Sequence, residues 1–173
     1  MSLAHLQPIY QPLNNYDHNS VAIVVANWHK EITEKLFQGA YAVLEKYHVG
    51  TIQRFDVPGS FELSYAANHL ASYGCFDAII CIGVVIRGET KHFDFICEAV
   101  AQGITRAAQN NDIPILFGVL TPDNLEQAYE RAGGKYGNKG EEAAYAALQM
   151  IDFQNYALNF YQNQNNQDLI ASE

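Results

Sequence analysis

Positive charge is scarce in this chain. Lys and Arg number 10 against 19 Asp and Glu, a formal net charge of −9. Nucleic acid and anionic membranes are bound through a positive field, so neither is expected as a general partner. Any anionic ligand must be held by a local cluster instead. Cysteine is sparse too. Cys75, Cys81 and Cys97 are odd in number and have no C-x-x-C spacing, which argues against both a disulfide scaffold and a zinc site. Cys81 and Cys97 fall at apolar positions and read as small core residues. No apolar run approaches the roughly 20 residues of a membrane-spanning helix. The opening MSLAHLQPIYQPLNN lacks a signal-peptide core, so a cytoplasmic chain is expected. Disorder is excluded as well, because 49% of the residues are hydrophobic and only 17% charged.

What is present is a regular alternation. VAIVVA at 21–26 is a fully apolar run, followed by a helical face of Ile32, Leu36, Ala40, Val43, Leu44 and Tyr47. TIQRFDV at 51–57 is more mixed and suits an edge strand. Pro58-Gly59-Ser60 then turns the chain into a helix over about 61–73, with Ser60 as its expected N-cap. A second apolar run, 78–86, precedes a helix with Phe93, Ile96, Cys97, Val100 and Ile104 on one face. Asn110-Asn111-Asp112 ends that helix. IPILFGVL at 113–120 contains Pro114, which places this strand at an edge, where a missing N–H does no harm. An apolar edge needs cover, a first hint of an oligomer. Residues 121–130 read as a short helix with Pro122 at N1, 131–140 as a Gly/Lys/Asn-rich loop, and 141 to about 160 as a final helix.

Four strands alternating with helices predict an α/β three-layer sandwich. Its sheet is parallel and flavodoxin-like, in the order 2-1-3-4, with helices on both faces. The expected division is an N-terminal arm (1–19), one domain (20–160) and a flexible tail (161–173). Ligands of such sheets bind beyond the carboxyl ends of the strands. Four segments would meet there: 27–28, 57–62, 84–92 and 120–121. Trp28 and Phe61 bring flat apolar surface, and Glu62 brings an acceptor for hydroxyls. The turn Arg87-Gly88-Glu89-Thr90-Lys91 leads into a helix N-terminus, where free N–H groups and the dipole favour an anion. His92, beside it, can both give and take a proton near neutrality. Each piece also has a plainer reading. Trp28 alone is more often a packing residue, Glu62 a carboxylate at a helix start, and Arg131 and Lys139 solvated loop charges.

Four blocks in order change that balance: VPGSFEL at 57–63, GVVIRGETKHFDFIC at 83–97, FGVLTPDNLEQAYERAG at 117–133 and KYGNKGEEAA at 135–144. Together they resemble the lumazine synthase family, over about residues 21–150. The resemblance implies condensation of 5-amino-6-ribitylaminouracil with 3,4-dihydroxy-2-butanone 4-phosphate, the penultimate step of riboflavin synthesis. It implies no metal or organic cofactor. Carried over by motif, Trp28 would stack on the pyrimidine, while Ser60, Phe61 and Glu62 would hold the ribityl chain. Val84, Val85 and Ile86 would line the ring pocket. Gly88, Glu89 and Thr90, joined by Arg131, would bind the phosphate, and His92 would transfer protons. Phe117 and Lys139 would arrive from an adjacent subunit.

The implied assembly is a pentamer, or twelve pentamers in a sixty-subunit shell, since the loop at 133–140 lacks the insertion of family members that stop at pentamers. Two departures stand out. Trp28 occupies a position where many members carry Phe. Glu89 sets a carboxylate beside the proposed phosphate, so its side chain must point away. The alternative function is a non-catalytic flavin- or lumazine-binding protein, or a shell-forming one. Storage needs no phosphate clamp, so Arg131, Thr90 and His92 favour the enzyme.

Overall fold

A computed structural model describes residues 15–171, with 165–171 given by their backbone alone. Most of the expected N-terminal arm therefore lies outside the described residues. Four parallel strands form the sheet: β1 (Ser20–Ala26), β2 (Thr51–Val57), β3 (Ala78–Val84) and β4 (Ile115–Leu120), in the order β2-β1-β3-β4. This is the expected flavodoxin-like order. The two most apolar strands, β1 and β3, are central and buried on both faces. β2 and β4 form the edges. Pro114 immediately precedes β4, and its carbonyl accepts a bond from Ile79 N–H at 2.9 Å, which aligns the edge strand without using the missing donor.

Helices α1 (Lys30–Lys46) and α5 (Lys139–Ala171) cover one face. There Leu36, Ala40 and Leu44 meet Ile23, Ile80, Ala144 and Leu148. The other face carries α2 (Leu63–Ser72) and α3 (His92–Asn111), where Leu63, Ala67, Val100 and Ile104 bury against Val24, Ile79 and Cys81. Burial pushes the Cys81 thiol up to about 12, so it behaves as a small apolar residue. Upstream of β1, Tyr16 is buried, and its hydroxyl donates to Asp152 of α5 at 2.8 Å.

The structure departs from the sequence expectations at helix ends. Ser60 does not cap α2. It opens a 3-10 turn (Ser60–Glu62), and its buried hydroxyl donates to the Val84 carbonyl at 3.2 Å. Pro122 is not N1 of the next helix. α4 (Leu125–Glu130) starts later, capped by Asn124, whose side chain accepts from Gln127 N–H at 2.9 Å. The 131–140 segment is not wholly loop, since β5 (Ala132–Gly134) and β6 (Gly137–Asn138) pair as a small antiparallel ribbon. Asn138 then caps α5: its Oδ1 accepts from Gly140 and Glu141 N–H at 2.8 and 3.3 Å, and its Nδ2 donates to Lys35 of α1 at 2.8 Å. At the other end α5 runs past Phe160 to Ala171, through a stretch with no Gly or Pro to stop it. Among the described residues, no helix is long and apolar enough to cross a membrane.

Candidate active site

A cleft of about 310 Å³ opens where β1, β2 and β3 end. Its floor is tied together by backbone: Asn27 N–H donates to Val57 at 2.9 Å, joining the ends of β1 and β2. Beyond β3 the chain runs on through Val85 and Ile86. Val85 N–H still reaches Leu120 at 2.8 Å, so these two side chains stay half-buried along the cleft wall. Trp28, 69% exposed, and Phe61, 55% exposed, stand at the rim. Gly59 lies between Trp28 and Glu62: a Cβ there would meet Glu62 Oε2 at 3.2 Å and the Trp28 ring at 3.6 Å. The ring and the carboxylate therefore flank the same short stretch of backbone. Large apolar residues exposed on a cleft edge, with one acceptor beside them, suit a flat polar ring bearing hydroxyls.

The opposite end of the cleft is the turn into α3. Thr90 Oγ1 accepts from His92 N–H at 3.3 Å, which leaves the hydroxyl proton available to donate outward. Gly88 lines the cleft with nothing within 4 Å of where a Cβ would stand, so an anion can approach its backbone. Arg87 is already occupied. Its Nε contacts Asp123 at 2.8 Å, its Nη1 contacts Asp94 at 3.3 Å, and its guanidinium lies 4.1 Å over the Phe93 ring. It braces the turn against the segment after β4. The positive end of the 20-residue α3 helix thus meets this end of the cleft, where the helix dipole favours negative charge.

Of the residues singled out from sequence, Trp28, Ser60, Phe61, Glu62, Val84, Val85, Ile86, Gly88, Thr90 and His92 line this one cleft. Four do not. Glu89 is exposed outside the lining, and Phe117 stands 37% exposed on the edge strand β4. Arg131 and Lys139 lie by the β5–β6 ribbon, bound to Glu142 on α5. Residues 120–121 do not line the cleft either. Conversely, His29, Pro58, Gly59, Phe93 and Ile96 line it without having been singled out. Phe93 and Ile96 carried a signal, the apolar face of α3, that reads equally as core.

The Glu142 cluster has its own logic. Arg131 Nη2 donates to Glu142 Oε2 at 3.0 Å, and Lys139 Nζ reaches the same oxygen at 3.2 Å. Arg131 Nη1 is 2.8 Å from Oε1 without a well-directed hydrogen bond, and it also donates to the Tyr136 carbonyl. Burial alone would raise the Glu142 carboxyl, but the hydrogen bonds and charges of Arg131 and Lys139 outweigh it and hold the group below its ordinary value.

A family model for 6,7-dimethyl-8-ribityllumazine synthase matches residues 18–155. The chain belongs to this family. A relative of that name from Parabacteroides distasonis is 49% identical over 156 residues, 83% of this chain and 96% of the relative. Those from Cytophaga hutchinsonii and Christiangramia forsetii are 54% and 48% identical, over 79% and 80% of this chain and 87% and 89% of their own. The match takes in the whole cleft as well as Phe117, Arg131 and Lys139, so the four outlying residues lie within the same family unit as the ten inside.

One consequence of the Glu142 cluster is measurable directly. A carboxyl whose pKa is lowered by folding stabilises the fold above its unfolded pKa, and loses that contribution as pH falls through the lowered value. The stability gap between the wild-type chain and Glu142→Gln should thus be full at neutral pH and close below about pH 4. Thermal unfolding across pH reads it. A gap that stays constant down to acid would remove the charged cluster as its origin.

Proposed function

We infer that this chain condenses 5-amino-6-ribitylaminouracil with 3,4-dihydroxy-2-butanone 4-phosphate to 6,7-dimethyl-8-ribityllumazine, a transferase reaction of riboflavin synthesis that releases phosphate and water. The observation that carries the reading is the single cleft that gathers a flat aromatic rim, a hydroxyl acceptor, a helix N-terminus and a histidine. Purified protein mixed with both substrates should form lumazine, followed by its absorbance, and release phosphate in step. Neither product appearing would sink the reading.

The roles follow from position. The pyrimidine lies against Trp28 with its edge along the backbone of residues 84–86. The ribityl hydroxyls meet Glu62 and the 60–61 turn, whose placement depends on the Ser60–Val84 bond. The phosphate sits on the Gly88–Thr90 turn at the positive end of α3. This sets the amine of one substrate against the carbonyl of the other, and holding the two together supplies most of the acceleration. His92, one turn from the phosphate, moves protons as the amine adds and the leaving groups depart.

His92→Ala should lower kcat by about 10²-fold, the low end for general acid–base catalysis, and leave both KM values nearly unchanged. An unaltered kcat would take His92 out of the chemistry. Trp28 is the chain's only tryptophan, so its emission reports on one place. Riboflavin or the lumazine product should quench it saturably. Trp28→Gly should weaken binding by roughly 1–3 kcal/mol, the range for base–aromatic stacking, with little change in stability because the ring is mostly in solvent. Binding that leaves the emission untouched would put the ring elsewhere.

The site is shared between copies. Arg131, Lys139 and Phe117 carry the cation and the second aromatic that the phosphate and pyrimidine call for, yet all three lie outside their own chain's cleft. A neighbour that covers edge β4 would bring such groups across, and repetition of one heterologous contact closes a ring. A pentamer, alone or as one of twelve in a shell, is the assembly we propose.

A further inference from the structure

The last part of α5 has no task in that reading. The family model ends at residue 155, but the helix continues to Ala171. Phe153, Tyr156, Leu158, Phe160 and Tyr161 are between 52% and 69% exposed. At 100° per residue, Phe153, Tyr156, Ala157 and Phe160 fall on one stripe, directed away from the side on which Ala144, Leu148 and Ile151 bury in the core. The chain's own body therefore cannot cover it. Most helical stability comes from packing an apolar face, and the described residues leave more than half of each aromatic residue of this one in solvent.

We propose that this stripe is a docking surface for the same stripe of a second copy of the chain. Charge selects that occupant. From Phe153 to Gln167 there is no Asp, Glu, Lys, Arg or His, in a chain that carries a net −9. Two such chains repel over most of their surface, and a neutral stretch of this length is where they can meet without like charges facing each other. The Asn and Gln residues around the stripe supply donors and acceptors that are complementary to themselves. The aromatic residues of the stripe, Phe153, Tyr156 and Phe160, offer roughly 500–900 Å² over two copies, and the Asn and Gln residues beside them extend the contact toward the ~1,000 Å² of a specific interface.

The test is face-dependent crosslinking of the full chain. In a Cys75→Ser, Cys97→Ser background, a cysteine is placed either at Phe160, on the stripe, or at Asn155, on the far side of the helix. A short bismaleimide is then added. Position 160 should give covalent dimer several-fold more readily than position 155. Adding Phe153→Glu and Tyr156→Glu should abolish that dimer while lumazine formation per chain stays unchanged, which shows that the body is folded. Equal yields at the two positions, no dimer at 160, or undiminished dimer in the Glu-bearing chain would each overturn the proposal. No dimer at 160 is also the outcome if the chain's own residues 1–14 occupy the stripe.

Discussion

Chains carrying Trp28→Gly with His92→Ala, co-assembled with chains carrying Arg131→Ala with Lys139→Ala, should regain activity that neither population has alone. The first set loses the ring platform and the proton carrier of its own cleft but still offers intact Arg131 and Lys139. The second keeps a whole cleft and lacks only the two cations. In one chain those cations lie at the β5–β6 ribbon, paired with Glu142, and contribute nothing to the cleft lining. If each cleft is completed by a neighbour, random mixing at equal ratio makes about one quarter of the sites wild-type on both sides of a heterologous contact. Lumazine formation should therefore return to roughly that share, with native mass spectrometry confirming mixed assemblies. Mixed assemblies without rescue would sink the shared site.

Gly140→Val should be the most destabilising single change at the site's margin. A Cβ at this position would stand 1.9 Å from the Leu36 carbonyl oxygen and 2.7 Å from its carbon, both backbone, and 3.0 Å from Asn138 Oδ1. A backbone carbonyl within a helix cannot swing aside as a flexible side chain would. The start of α5 must lift off α1, and the Asn138 cap that holds the two helices is broken with it. The expected loss is roughly 3 kcal/mol or more, at or above the upper end for overpacking. For a chain of this size that lowers Tm by about 6–12 °C. Activity should fall further than stability alone requires, because Arg131 and Lys139 take their placement from Glu142 in the same first turn of α5. Gly88→Ala is the internal control. It has open space around it and no positive φ, so its melting temperature should barely move. A Gly140→Val chain that melts with the wild type would refute the close-packing argument.

The strands were legible because burial on both faces leaves a run of apolar residues that few other local structures need. β1 and β3 could be read as central on that ground, and β4 as an edge from one proline. The ten cleft residues were legible for a related reason: each sits at or shortly after a strand's carboxyl end, where a parallel sheet presents its ligands. The starts of α2 and α4 were not legible. Ser60 has the composition of an N-cap, but the end of β3 offers it a carbonyl across space, and that bond wins. Asn124 and Gln127 took the start of α4 from Pro122: Asn124 Oδ1 accepts from Gln127 N–H, and Gln127 Oε1 accepts from Asp123 N–H, both at 2.9 Å.

Local chemistry, read along the chain, determined the element types, the order of the sheet and the chemical character of the cleft: an aromatic, a carboxylate, a hydroxyl and a histidine beside a helix N-terminus. Those depend on apolar periodicity and on backbone groups left unpaired at element ends, both properties of neighbours in sequence. Tertiary structure alone decided where Arg131 and Lys139 stand. Whether a cation points into a cleft or toward a carboxylate depends on groups that approach from distant parts of the chain, here Glu142 on a helix seated by Asn138 against α1. It also decided that the aromatic residues of α5 face away from the body. Their spacing is that of any buried helical face, and only the sheet's position on the other side of that helix leaves them in water.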